Sequence, residues 1–376
     1  MSQVRLPRVI HVNQRDDAAT GGALRVAFEL VRRLPGQGID ARMLFLYGSE
    51  GMCGSMLPMR CDYLQINNSR RIHQFGRLRS YLDRQRPDIV HFHDDLLWPQ
   101  LLYPGQRPWR TVIHAHGGGT AAPQPWKTQA LYAIQRRQAD RVVCITEEAK
   151  SSQMRNVGFL PDRLQVIYNG VDRGVFRPPT EEIRARARQR FGLKQDAIVV
   201  GFVGRLHDAM KGCLDFVELL ARLPERYVGL VAGRGPDEET MRRQGRRLGI
   251  DHRLVFAGLV EDVAATYQAL DVFCFLSRHE PFGLTIAEAM ASGVPVVGFA
   301  CPGGSGELLT NETGHVILNR DLNAMASEVQ RAARRSNPWP ERISTAAACL
   351  EQQHDWDRAA VQLTATYRGL AGAHHT

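Results

Sequence analysis

Long hydrophobic runs are missing from this chain. Nowhere in its 376 residues do about 18 apolar residues follow one another, the minimum for a membrane-spanning helix. The opening MSQVRLPRVIHVN passes straight into a strand pattern and has no apolar core of a leader, so a cytoplasmic protein is expected. Cysteine is sparse. The seven (53, 61, 144, 213, 274, 301 and 349) are scattered and never form CxxC. The cysteines therefore read as reduced core residues of a cytoplasmic protein, with Cys144 and Cys274 inside apolar strand-like runs. Aromatics make up 7% and do not alternate with basic residues, so nucleic acid is not an expected partner. Short-period repeats and low-complexity tracts are also absent.

The composition is otherwise that of a globular protein, 44% hydrophobic and 23% charged. A chain of this length is expected to split into two cores. Net charge is +9, which favours an acidic partner such as a phosphorylated small molecule or an anionic lipid surface, or else reflects an Arg-rich surface with no partner. The segment SRRIHQFGRLRSYLDR (69–84) puts Ile72, Phe75, Leu78 and Leu82 on one helical face with arginines around it. It fits a helix docking on an anionic membrane, or a helix packed on a sheet with a solvated basic face.

Short β-branched runs alternate with helix-period segments along most of the chain. The first half holds RVIHVN (8–13), DARMLFLY (40–47), DIVHFH (88–93), TVIHAH (111–116), DRVVCIT (140–146) and LQVIYNG (164–170). The second holds AIVVGFVG (197–204), YVGLVAG (227–233), RLVFAG (253–258), DVFCFLS (271–277), VPVVGF (294–299) and HVIL (315–318). Continuous apolar strands between helices indicate parallel sheets covered on both faces, so the fold class is α/β with two Rossmann-like, doubly wound domains. The Pro-rich 173–180 is the expected hinge. The domains are read as 1–175 and 176–352, followed by a terminal helix over 353–376.

In doubly wound sheets ligands bind beyond the carboxyl ends of strands, and the informative motifs follow strands. SRHEPFGLTIAEAMASG (277–293) reads as a turn followed by a helix closed by Gly293. Amides at Gly283, Leu284 and Thr285, beside Phe282, would offer unpaired N–H groups to a phosphate. Glu280 and Glu288 would take hydroxyls on its two sides, the pattern of a nucleotide sugar; the plain alternative is a loop acid and a solvated helix acid. Arg205 and Lys211, after AIVVGFVG, would clamp a diphosphate, or are exposed loop cations. Gly21 and Gly22 open a helix after the first strand and keep side chains away from a ligand, or make a simple turn. The acidic NQRDDAAT before them is expected to be a mobile cover. HFH (91–93) with Asp94 and Asp95, and HAH (114–116), end strands with paired side chains on one face. They could ligate zinc, so a metal-dependent hydrolase is a rival reading of this half.

The run DVFCFLSRHEPFGLTIAEAMASGVPVV (271–297) resembles the signature of the retaining, nucleotide-sugar-dependent glycosyltransferases of family 4, which have the GT-B fold. Supporting resemblances are GGALRVAFEL with Gly21 and Gly22, VIYNGVD (166–172), FVGRLHDAMKG (202–212), VAGRGPDEE, VFAGLV and HDWDRAAVQLTATYRGL (354–370), together nearly the whole chain. The resemblance implies two domains facing each other across a cleft, with a C-terminal helix crossing back, anchored by a Trp and a Tyr. It implies a hexose-type sugar moved, with retention, from a nucleotide-diphosphate sugar as co-substrate to a saccharide or lipid-linked acceptor, with no cofactor or metal. The product would belong to polysaccharide, lipopolysaccharide or glycolipid assembly. It makes Glu288 the ribose partner, Glu280, Arg205 and Lys211 catalytic, and His116 the residue facing donor sugar and acceptor, with His93, Asp94 and Asp95 on the acceptor side. A sugar-nucleotide epimerase of the same fold and a non-catalytic nucleotide-binding module are the remaining alternatives.

Overall fold

The computed structural model describes residues 6–17, 21–66, 71–93, 107–117 and 125–372. It divides into two units. The first contains residues up to Asn169 together with the C-terminal segment from Trp356; the second runs Gly170–Asp355.

The first unit carries a parallel seven-stranded sheet in the order β3-β2-β1-β4-β5-β6-β7. Its strands are β1 (Arg8–Arg15), β2 (Asp40–Tyr47), β3 (Cys61–Tyr63), β4 (Ile89–His93), β5 (Arg110–Ala115), β6 (Arg141–Cys144) and β7 (Leu164–Val166). The second unit carries six parallel strands in the order β10-β9-β8-β11-β12-β13. These are β8 (Ile198–Val203), β9 (Tyr227–Ala232), β10 (Leu254–Gly258), β11 (Val272–Phe275), β12 (Val296–Phe299) and β13 (His315–Ile317). All twelve expected strands are present. The addition is the edge strand β3, whose CDY is too short and too polar to announce itself.

Each unit is Rossmann-like, with a point where the chain reverses its direction of travel across the sheet. This switch lies between β1 and β4 in one unit and between β8 and β11 in the other. Helices cover the sheets as the sequence pattern requires. In the helix Gly22–Arg33, Leu24, Val26, Ala27, Leu30 and Val31 are buried. The helix Trp356–Gly372 belongs to the first unit, where Trp356 and Tyr367 are both buried. Its Thr366 donates to Gln165 and its Arg368 to the Gln37 carbonyl.

The basic segment forms the helix Arg71–Gln85. Leu78, Tyr81 and Leu82 join the first unit's core with Ile10 and Val90, while Arg77, Arg79 and Arg84 remain exposed. The described part of the apolar stripe therefore packs on its own sheet, leaving the charged face for solvent. The segment expected to be a mobile cover is tied down as far as Asp16, which is buried. Its carboxylate accepts from the Gly51, Cys53 and Gly54 amides and from the Tyr63 hydroxyl at 2.6–2.9 Å. Burial alone would raise its pKa; the hydrogen bonds from Tyr63 and the three amides outweigh that and hold it below the usual range.

Candidate functional site

In the second unit the switch point gathers the predicted donor residues. Arg205 stands exposed two residues beyond β8. The loop then makes a single helical turn, Asp208–Lys211, closed by Gly212 at φ +64°. A Cβ there would lie 2.3 Å from the Leu276 carbonyl oxygen, so only glycine lets this turn lie against the end of β11. From β11 the chain runs to Glu280, and Lys211 Nζ meets Glu280 Oε2 at 2.6 Å. The pair is largely shielded, with side-chain exposures of 26% and 13%.

Arginines behind the pair hold the two loops together. The Arg278 amide donates to the Met210 carbonyl at 2.8 Å. Its guanidinium donates to the Asp208 carbonyl and carboxylate, both at 3.1 Å. Arg320 donates to the Leu276 carbonyl at 2.9 Å and to the Asp215 carboxylate, and Arg278 reaches that same carboxylate at 3.3 Å. Two aspartates facing two arginines leave little net charge behind the site, so Lys211 is positioned without being neutralised from the rear.

The helix Leu284–Ala291 starts at Gly283, which has φ +98°. Among the described residues the amides of Gly283, Leu284 and Thr285 have no acceptor; the first bonds of the helix come from Ile286 and Ala287 to the Gly283 carbonyl. This is the unpaired, positive helix end that an anion requires. Glycine also closes the helix, at Gly293 with φ +68°. Phe282 differs from expectation: its ring is buried, 5.5 Å from that of His354. Its side chain faces the unit's interior, which leaves its main chain alone for a ligand. Glu288 is not a solvated acid. It is 3% exposed and accepts from the Tyr267 hydroxyl at 2.7 Å.

A loop the sequence reading passed over completes this geometry. CPGGSGE (301–307) lies against the Glu280 turn: the Glu280 amide donates to the Pro302 carbonyl, Gly304 to the Pro281 carbonyl and Ser305 to the Glu280 carbonyl. Gly303, at φ +113°, would carry a Cβ 2.2 Å from the Glu280 oxygen. The paired glycines were a visible signal, but nothing local said which turn they would meet.

In the first unit, Gly21 has φ +95° and caps the helix that begins at Gly22; both are exposed. The histidines converge at this unit's switch. His11 pairs with His91 across β1 and β4, and His93 with His114 across β4 and β5. His11 Nδ1 lies 2.9 Å from His93 Nε2, and His93 Nδ1 lies 3.0 Å from His116 Nε2. Tyr367 Oη joins His11 Nε2 at 3.2 Å and also bonds His91 Nδ1. Burial pushes His11 and His116 down to about 3 and holds His91, His93 and His114 well below the ordinary histidine range, so all five rings are neutral.

The acceptor-side reading of His93 is corrected here. It is fully buried, and both its ring nitrogens are bonded to other histidines, so it has no atom to offer an acceptor. Asp94 and Asp95 lie outside the described residues. Nitrogens of His11, His91 and His93, and of His93, His114 and His116, fall within 4.8 Å of one another, close enough for a metal. Several of these nitrogens already face each other at hydrogen-bond distance, where a metal would need their lone pairs to converge on a common centre. His11 was the member the sequence reading missed, because nothing in RVIHVN reveals which strands flank it.

Comparisons with known proteins identify the family and the fold. Residues 20–174 match the family described as Glycosyltransferase Family 4, and residues 197–335 match Glycosyl transferases group 1. The chain belongs to the family 4, group 1 glycosyltransferases. A D-inositol 3-phosphate glycosyltransferase of Corynebacterium aurimucosum is 30% identical over 242 residues, 61% of this chain and 56% of that protein. The matched stretch thus spans little more than half the length of this relative. Among solved structures, HepE of Anabaena in complex with UDP superposes with a TM-score of 0.81 at 19% identity, covering 96% of this chain and 100% of that one. A glycosyltransferase from Rickettsia africae gives 0.83 at 18% identity, covering 97% and 98%. At these identities the structures speak for the GT-B fold of this family member. No helix among the described residues is long and apolar enough to cross a membrane.

Proposed function

We propose that this family 4 member transfers a hexose-type sugar from a nucleotide-diphosphate sugar to an acceptor hydroxyl, with retention at the anomeric carbon and without a metal ion. The observation that carries the reading is the second unit's switch point, where a shielded lysine–glutamate pair stands at a helix start whose first amides are unpaired. A diphosphate would take the amides of Gly283–Thr285, with Lys211 and Arg205 as cations. Glu280 would accept from sugar hydroxyls, and Glu288, braced by Tyr267, from the ribose.

Negative charge grows on the leaving phosphate as the glycosidic bond breaks. Cations and amides already aimed there gain strength in the transition state, and this stabilises it relative to the bound substrate. The departing phosphate oxygen would take the acceptor's proton on the same face, so no side chain is obliged to act as base. His116, with Gly21 and Gly22, would belong to the sugar and acceptor side. HepE is solved with UDP and with UDP-glucose, which makes a uridine nucleotide the first donor to try. The relatives include D-inositol 3-phosphate glycosyltransferases, so a small polyol phosphate joins saccharide and lipid-linked compounds as an acceptor. We place the product in polysaccharide, lipopolysaccharide or glycolipid assembly. The exposed Arg77, Arg79 and Arg84 would give a cytoplasmic enzyme an electrostatic hold on anionic lipid.

A thermal-shift screen of UDP-, GDP- and ADP-sugars tests the donor site. One class should raise the melting temperature and then support product formation with an acceptor. Binding without turnover across acceptors of all three kinds would favour a nucleotide-binding module. Product that does not depend on any acceptor would favour an epimerase.

A further inference from the structure

Histidines of the first unit, buried except for the half-buried His116, form a chain whose hydrogen-bond direction is constrained from end to end. Its links run Tyr367 Oη to His11 Nε2, His11 Nδ1 to His93 Nε2, and His93 Nδ1 to His116 Nε2, with His91 Nδ1 attached at Tyr367. The ring centroids of His11 and His93, and of His93 and His116, are 5.2 Å apart. That spacing is about as long as two ring radii plus the nitrogen–nitrogen contact allow, so these rings, although only 25–26° from parallel, meet edge to edge in hydrogen-bonding geometry. His91 and His114 instead lie face-on, His91 over His93 at 4.7 Å and 6°, and His114 over His116 at 4.4 Å and 7°.

A neutral imidazole has one N–H and one lone pair, and each link takes one proton. If His116 donates from Nε2, then His93 and His11 must also donate from Nε2, Tyr367 must accept from His11 and donate to His91 Nδ1, and the His91 proton must sit on Nε2. If His93 donates to His116, every step reverses, and all four rings carry their proton on Nδ1. Mixed arrangements put two protons, or none, between a pair of nitrogens, or have Tyr367 accept from both His11 and His91, which leaves its own buried O–H without an acceptor.

The far end decides the direction. His91 Nε2 is buried and has no partner among the described residues. The first arrangement strands an N–H there, a second one beside that of His114, neither of whose ring nitrogens has a partner among the described residues, and orphaned buried N–H groups are rare in folded proteins. The second leaves a bare lone pair. We propose that His91, His11, His93 and His116 share one tautomer, the Nδ1–H form, set through Tyr367. His116 then shows an N–H donor at its remaining nitrogen and does not act as a base. Among the described residues the chain ends blind at His91, so it locks a tautomer and does not conduct protons. His11, His93 and Tyr367 are positioning residues. The role of His116 toward a ligand rests on the function proposed above; the tautomer assignment does not.

Nitrogen-15 NMR of the full-length, histidine-labelled protein near pH 7.5 reads the tautomer of each ring directly. The expected result is protonated Nδ1 and bare Nε2 at all four positions. Tyr367→Phe should release His91 from the set while His11, His93 and His116 stay alike, a change that loss of packing alone would not produce. Nε2–H at His116, unlike tautomers within the chain, or one equivalent of tightly held zinc on the purified protein would each overturn the assignment. For activity, His116→Asn keeps an amide N–H near Nδ1 and should lie within about tenfold of the parent, whereas His116→Asp, acceptor-only, should lose about 10²-fold or more. Nδ1–H signals together with full activity in both variants would sustain the tautomer lock and remove His116 from the proposed site.

Discussion

Lys211 Nζ lies 2.6 Å from Glu280 Oε2, joining the loop after β8 to the loop after β11 at the second unit's switch point. The two are 69 positions apart in sequence, and the Arg278–Asp208 contacts bring them together. If this pair serves the departing diphosphate and the sugar, Lys211→Ala and Glu280→Gln should each lower kcat by about 10²–10³-fold, with far-UV circular dichroism unchanged. Rates near the parent's in both variants would dismiss the assignment.

The buried carboxyl group of Glu288 accepts a hydrogen bond from the Tyr267 hydroxyl at 2.7 Å. Removing that hydroxyl in Tyr267→Phe takes one hydrogen bond from a buried acid, a loss of about 1.5–3 kcal/mol. Nucleotide affinity measured by calorimetry should weaken by about one order of magnitude or more, and removal of the base and ribose from the ligand should abolish the difference. Equal weakening toward inorganic pyrophosphate would show that Glu288 does not read the ribose.

Gly303 lets one loop lie against another. Gly303→Ala sets a Cβ 2.2 Å from the Glu280 carbonyl oxygen, in a backbone region that side chains rarely adopt. The obstacle is main chain and cannot swing away. A stability loss of about 1–3 kcal/mol is expected, with donor binding impaired beyond the drop in melting temperature. Gly306→Ala, which meets nothing within 4 Å, is the control and should behave as the parent.

Cationic side chains and helix amides replace a metal in the proposed mechanism. Turnover after dialysis against EDTA should equal turnover before it, and added Mg²⁺ or Mn²⁺ should leave it unchanged. Activity lost to chelation and restored by either ion would reverse this.

The histidine chain makes a pH prediction with a definite sign. Burial pushes His11 and His116 down to about 3 in the folded protein, against roughly 6.5 in the unfolded chain. Between those values the unfolded state binds more protons, so stability falls as pH falls. Each such histidine contributes about 1.4 kcal/mol per pH unit; above about 6.5 the effect vanishes. Urea midpoints should drop steeply from pH 6.5 to 5 and stay level between 7 and 8. A midpoint that does not move down to pH 5 would show that these rings are not held neutral by burial.

Much of this was legible in the residues because it is local. Strand runs such as AIVVGFVG and DVFCFLS reveal themselves through unbroken apolar character, and the helix Leu284–Ala291 through the glycines at its two ends. The alternation of strand and helix implied parallel, doubly wound sheets, while the spacing of Glu280 and Glu288 about a glycine turn left two readings open and the proposed site came from the resemblance of 271–297 to the family signature. Tertiary structure decided what depends on strand order and on which loops share an edge of the sheet. Lys211 meets Glu280, Tyr267 braces Glu288, Gly303 supports the Glu280 turn, and His11 and Tyr367 complete the histidine chain. None of these partners lies near its counterpart in sequence, and each pairing requires the sheet to be assembled first. For the same reason His93 looked like a ligand contact in HFHDD and became an interior link once β1 and β5 closed around it.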